Sequence, residues 1–330
     1  DPASEYPARP EWYFLGLFQL LKYFEGPLEL VGTVVLPGLV GAFLFALPLL
    51  DRKPSTRVRD RLPWVGALAI VGLAGAALTG LAWVTDGADV AFQRARADAT
   101  QLAERASLLA WRGVPPEGPL AMLQRDPSTR GPQLWQEHCA SCHSLGGKGG
   151  LTAPDLGGFG SRAWIRGMLA APDAPHYFGG TELRGQMPSQ AARLGETGMR
   201  AVTEFLYAEG REASDPAVEE SVRQQGEQLF RQRCMNCHLY RGDGSFIGTP
   251  APNLTYYASR TWIRKHIENP ASPATYDTLN RGMPRFDDQI AANEITLLTS
   301  WLRRQRLASP SPRPSAPPRP TPAGPAPAPR

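Results

Sequence analysis

Apolar and polar positions divide the chain into three regimes. Two runs, Leu28 to Leu50 and Leu62 to Val84, are almost wholly apolar, with Glu29 near the start of the first. Each is long enough to cross roughly 30 Å of hydrocarbon as a helix. Pro37 is placed to kink the first, and Trp64 and Trp83 stand near the ends of the second as an aromatic belt would. Two uncharged runs of this length fit poorly with buried helices of a soluble core. On the second run Gly72, Ala76 and Gly80 fall four apart, a small-residue face suited to close approach of another helix. Residues Ala88 to Trp111 then mix Ala, Leu, Arg, Glu and Asp at helical periods, which predicts an exposed connecting helix. The Gly113–Pro119 stretch breaks it. From Ser309 to Arg330 Pro, Ala, Ser and Arg dominate, a composition that cannot bury a core and predicts a disordered or polyproline-like tail.

Length and charge change this picture only slightly. The 330 residues allow two or three domains, and the net charge of +4 is modest. No basic stripe points to nucleic acid. The loop between the apolar runs carries Arg52, Lys53, Arg57, Arg59 and Arg61, so it should face the cytoplasm. Everything before the first run and after the second then lies outside. Asp1 is no initiator, and no signal-peptide pattern opens the chain, which suggests a fragment or a processed product.

The candidate chemistry sits in Cys139-Ala140-Ser141-Cys142-His143 and again in Cys234-Met235-Asn236-Cys237-His238. In C-x-x-C-H each thiol can form a thioether to one haem vinyl group, and the next residue, histidine, lies under the iron. Zinc or redox C-x-x-C is the competing reading for one copy. Two copies consume all four cysteines, and each is followed by histidine, which a zinc site built from both pairs would not require. Two covalently attached haem c groups are therefore expected, and disulfides are not.

The two motifs belong to an internal repeat. Gly131-Pro132-Gln133-Leu134-Trp135 parallels Gly226-Glu227-Gln228-Leu229-Phe230, and Ala153-Pro154-Asp155-Leu156 parallels Ala251-Pro252-Asn253-Leu254. Ser161-Arg162-Ala163-Trp164-Ile165-Arg166 parallels Ser259-Arg260-Thr261-Trp262-Ile263-Arg264, and Gly185-Gln186-Met187-Pro188 parallels Gly282-Met283-Pro284. Each copy closes on an aromatic-bearing stretch, near Phe205 and near Trp301. Each copy thus resembles a class I cytochrome c domain. The resemblance implies that the first and last helices cross near a small glycine and that Met187 and Met283 are the distal iron ligands. Met168, Met199 and Met235 are alternatives, although methionine at helical spacing is commonly core filler. His/Met ligation saturates the iron and raises its potential, which suits an electron relay and not a peroxidase. Covalent haem attachment of this kind resembles the extracytoplasmic route of bacterial cytochromes c.

Ahead of the first apolar run stands Pro10-Glu11-Trp12-Tyr13, followed by an aromatic, amphipathic stretch to Lys22. Chemistry alone reads this as an interfacial anchor. Together with the two spans, residues Tyr6 to Asp86 resemble the C-terminal part of cytochrome b, in the form called subunit IV. That resemblance implies that Glu11 takes a hydrogen bond or proton from a quinol and that Tyr13 shapes the quinol-oxidation pocket. Gly16 stands where subunit IV often has proline. The five histidines are His138, His143, His176, His238 and His266, none within a span, so the paired ligands of b haems are absent. His138, His176 and His266 read as solvated or structural. A complete pocket would need an earlier membrane helix and the b-haem half from elsewhere.

The expected fold is all-α: two transmembrane helices, two tandem cytochrome c domains and a disordered Pro-rich tail. The expected plan is a quinol-site loop and interfacial helix (1–27), two spans (28–87), a connecting helix and linker (88–130), domains at 131–210 and 221–306 joined by a polar linker (211–220), and the tail (307–330). The resemblances imply a fused, electron-transferring subunit of a proton-translocating quinol:cytochrome c oxidoreductase complex. It would be multi-pass in a bacterial inner membrane with its haems on the periplasmic side. Expected partners are a b-haem-carrying cytochrome b subunit, a Rieske iron–sulfur protein, quinol, the lipid bilayer and a soluble cytochrome c or terminal oxidase, in a dimeric complex. A membrane-anchored dihaem relay without a quinol site is the alternative.

Overall fold

The computed structural model describes residues 6–52, 54, 57–244, 251–276 and 282–306. The expectations for Asp1, Lys53 and the tail beyond 306 lie outside the described residues. The chain forms two compact units, Asp1–Gly113 and Val114–Arg330. Helix dominates both, and the described residues contain a single two-stranded sheet.

In the first unit a 3₁₀ turn at Trp12–Phe14 leads into α1 (Leu15–Leu21). The first apolar run is helical over Gly26–Leu50, 25 residues, and the second over Val58–Ala88, 31 residues. Their regular parts are α2 (Leu36–Leu50) and α3 (Leu62–Ala88). A π-helical turn at Val31–Val35 precedes α2, next to Pro37, whose missing N–H interrupts the ordinary ladder. Almost nothing along either run is buried within the chain. Apolar helices this exposed need lipid or another helix around them.

The α1 helix packs on α3, and the contact explains Gly16. A Cβ there would lie 2.9 Å from the Gly75 carbonyl oxygen and 2.9 Å from Thr79 Oγ1. The close approach therefore uses Gly75 and Thr79, whereas Gly72 and Gly80 have nothing within 4 Å of an added Cβ. The stripe of small residues read from the sequence is not the surface that α1 uses. At Asp89 the backbone turns out of α3, and the Asp89 carboxylate caps α4 (Val90–Ala110) by accepting from Phe92 N–H at 3.0 Å. Only Phe92 of α4 is buried, as an exposed connector requires.

The second unit opens with α5 (Pro119–Gln124) and α6 (Pro127–His138), followed by the hairpin of β1 (Ser144–Leu145) and β2 (Lys148–Gly149). Then come α7 (Arg162–Ala170), α8 (Ala191–Glu209), α9 (Glu220–Arg233), α10 (Arg260–Glu268) and α11 (Ala292–Gln305). The repeat is visible in the caps. Ser161 and Ser259 each accept a hydrogen bond from the tryptophan N–H three residues on, both at 3.1 Å.

The helix crossings differ from the expectation. The first helix of each repeat packs on the last helix of the other: α6 on α11, and α9 on α8. A Cβ on Gly131 would collide with Trp301, and one on Gly226 would collide with the Ala201 carbonyl and approach Phe205. Trp135 packs on Trp301 at 5.8 Å, and Phe205 on Phe230 at 5.2 Å. Gly131 and Gly226 do permit close crossings, as the resemblance implied, but between repeats. Their shared core is a single cluster that includes Leu134, Phe205, Phe230, Tyr240, Ile295 and Leu298.

The ends of the two last helices meet as well. Arg303 donates to the Gly210 carbonyl at 2.7 Å, and Arg306 donates to the Tyr207 carbonyl. Arg303 also pairs with Asp215, and all three of these charged side chains are buried. The polar linker read from the sequence is thus clamped into the fold by an internal carboxylate.

Candidate functional site

Each C-x-x-C-H stands where a first helix ends. α6 runs out at His138 and α9 at Arg233, and in both cases the first cysteine N–H still bonds a carbonyl of the helix, at 2.8 Å. The four cysteines are free thiols. Burial pushes the Cys139 thiol up to about 12 and the Cys234 thiol to about 11. Among the described residues no three His, Cys, Asp or Glu side chains converge as a metal cluster would.

The histidines are aimed. His143 Nδ1 bonds the Pro154 carbonyl at 2.8 Å, and His238 Nδ1 bonds the Pro252 carbonyl at 2.9 Å. With Nδ1–H donating, Nε2 carries the lone pair that an iron would take. Burial lowers both imidazole pKa values, which keeps the neutral form a ligand requires.

A carboxylate holds the first of these loops in place. Asp155 follows Pro154 and accepts from the Gly146, Gly147 and Gly157 N–H groups at 2.9, 2.6 and 2.7 Å, and from Ser144 Oγ at 2.9 Å. Burial opposes its charge, but these bonds outweigh that and hold its pKa below the usual carboxylate range. In the second repeat Asn253 takes the place and accepts from Thr255 N–H at 3.0 Å.

Two glycines that the sequence reading missed complete the turns. Gly149 and Gly244 both adopt positive φ, and a Cβ on either would press on the carbonyl of the motif histidine. The signal was present, since each glycine lies at the same offset after its histidine.

Met187 and Met283 are both half-buried against the shared core. Met168 and Met199 are fully buried within α7 and α8, the filler role, and Met235 is half-buried inside the motif itself. His266 is buried, which decides for the structural of its two readings. It stacks on Trp262 at 3.5 Å with Nδ1 bonded to the Trp262 carbonyl. Cysteines outside any disulfide, oriented neutral imidazoles and half-buried methionines at the core edge fit covalently bound haem.

In the first unit Trp12 and Tyr13 line a cleft of about 400 Å³ together with Ala76, Thr79, Gly80 and Trp83 of α3. Glu11 is exposed just ahead of it and is not among the lining residues. Arg9 fixes this stretch to the end of α3 by donating to both Asp86 oxygens, at 3.0 and 3.1 Å. Its guanidinium also lies 4.4 Å from the Phe92 ring centroid.

Comparison with known proteins matches residues 6–93 to the family model cytochrome b(C-terminal)/b6/petD. Residues 128–208 match cytochrome c, and residues 222–302 match cytochrome c oxidase, cbb3-type, subunit III. A match to the C-terminal part of cytochrome b is thus followed along the chain by two matches to cytochrome c-type models. Such domains hold haem c covalently. Among the relatives is the menaquinol:cytochrome c reductase cytochrome c subunit of Geobacillus thermodenitrificans, 32% identical over 170 residues, which are 49% of this chain and 58% of the relative. The subunit of the same name from Bacillus subtilis (strain 168) is 29% identical over 160 residues, 47% of this chain and 54% of the relative. The chain spans little more than half the length of these relatives. No solved structure matches.

Proposed function

We propose that this chain is an electron-transfer subunit of a quinol-oxidising cytochrome bc-type complex. It lends part of the quinol-oxidation pocket and relays electrons through two haem c groups to a periplasmic acceptor or oxidase. The observation that carries this reading is one polypeptide holding both a cleft walled by the Trp12-Tyr13 segment and two aimed C-x-x-C-H sites. The name of the relatives, menaquinol:cytochrome c reductase, supports menaquinol as the donor class.

In this reading Glu11 takes a proton as the quinol is oxidised, and Tyr13 shapes the wall beside it. His143 and His238, through Nε2, and Met187 and Met283, through sulfur, would hold the iron of the two haems. The bound haems supply one-electron redox chemistry, and the methionine ligands raise its potential. The covalent link between cleft and relay keeps the acceptor at high effective concentration near the donor. The complex would include a b-haem-carrying cytochrome b subunit and a Rieske protein, work as a dimer and release protons outside. The basic loop around Arg57, Arg59 and Arg61 supports an inner-membrane topology with both haem domains on the external face.

Glu11→Gln in the assembled complex tests this. A quinol-site carboxylate gives turnover severely slowed with the haem spectra unchanged. Full turnover would leave the spans as a tether for a dihaem relay. Co-purification of a b-haem subunit is the companion measurement.

A further inference from the structure

The exchanged helices have a consequence for the iron sites. The geometry points to reciprocal ligation: the haem on Cys139 and Cys142 takes Met283 of the second repeat as its distal ligand, and the haem on Cys234 and Cys237 takes Met187 of the first. This rests on the reading that these two methionines are the distal ligands.

From Met283 the chain runs through Phe286 into α11. Phe286, three residues on, is anchored to the end of α10 by its N–H, which bonds the Ile267 carbonyl at 3.2 Å. Its ring meets the ring of His138 edge-on at 6.2 Å, and His138 directly precedes Cys139. The chain then enters α11, which lies across α6. Arg130 of α6 bonds Glu294 at 2.7 Å, and Trp135 packs on Trp301 while also standing 6.3 Å from the His143 ring. Thus the helix that delivers the first thiol pair is covered by α11, the helix that Met283 leads into, and Phe286 on the way there reaches His138. In the second half α9, which delivers Cys234, is covered by α8, the helix that Met187 leads into. Gln190 N–H anchors that entry to the end of α7 through the Leu169 carbonyl at 2.8 Å, as Phe286 is anchored to α10.

The proximal sides stay within their own repeats. Pro154 serves His143, and Pro252 serves His238. Trp164 Nε1 bonds the Asp155 carbonyl at 3.1 Å, and Trp262 Nε1 bonds the Asn253 carbonyl at 2.7 Å. Each haem would therefore lie between a proximal loop from one repeat and a distal segment from the other.

The test uses the full chain carrying Cys234→Ala and Cys237→Ala, which retains only the haem on Cys139 and Cys142. Oxidised protein is read for the far-red absorption band that marks sulfur-to-iron ligation. Met283→Ala in this background should abolish the band, and Met187→Ala should leave it at full intensity. The opposite pattern overturns the exchange while keeping methionine ligation. A band that survives both changes assigns the sulfur ligand to another methionine and overturns the exchange with it. A second readout keeps the dihaem chain otherwise intact and places a site-specific protease sequence between Ala213 and Ser214. After cutting, one particle holding both haem peptides supports the exchange, and two separate monohaem particles overturn it.

Discussion

The indole of Trp301 fills the space that a side chain on Gly131 would occupy, so the closing helix of the second repeat is locked onto the opening helix of the first. The counterpart, Gly226, is tighter, because its nearest neighbour is the backbone carbonyl of Ala201 and backbone cannot rotate away. Replacing Gly226 with leucine should therefore cost more than the same change at Gly131. At least ~1–3 kcal/mol is expected at each from overpacking. Urea unfolding of the two holo variants would rank them, and equal costs would show that the crossings are not set by these glycines.

Asp215 is the buried carboxylate between Arg303 and Arg306. Asp215→Ala strands two internal guanidinium groups, and removing one partner of a buried ion pair costs about 3–5 kcal/mol. Desolvation, with Arg303 nearby, already pulls the Arg306 pKa down to about 10. Converting Asp215 and Arg303 together to apolar residues of similar volume should recover part of the loss, as measured by thermal unfolding. No recovery would place the cost in the linker backbone.

Burial holds His266 neutral and lowers its pKa from 6.5 to about 4. The unfolded chain takes up a proton between these values and the folded chain does not. Its contribution is thus fully present above pH 6.5 and is lost as the pH falls toward 4. The difference amounts to roughly 3 kcal/mol across that window. His266→Leu should flatten this part of the stability profile, and an unchanged slope would assign the acid sensitivity to other groups.

Arg9 ties the segment ahead of α1 to Asp86 at the end of α3. Asp86→Asn removes the charge pairing with Arg9, and with Lys22 at 3.9 Å, while leaving an acceptor. Amide exchange over residues 7–14 should accelerate, and more so for Asp86→Ala. If exchange there is indifferent to both changes, α1 packing alone holds the segment.

Much of the chemistry was legible in the sequence because it is local. The spacing of Cys139, Cys142 and His143 fixes ligand order, and Pro154 recurs as Pro252 where a carbonyl must meet the imidazole. The apolar runs declared the spans for the same reason. What the sequence does not encode is the pairing of equivalents. Gly131 and Gly226 offer the same notch, and Phe205 and Trp301 offer comparable aromatic surface, so either match satisfies the pattern. Only tertiary packing chooses between them. The burial of Arg303 and Arg306 was not legible either, since it depends on Tyr207, Gly210 and Asp215 far back along the chain.

A module whose opening and closing segments are traded across a duplication loses a wall when either half is deleted, so a single remaining copy must re-pair its own first and last helices to keep a core. The pair would then be inherited, matured and degraded as one object.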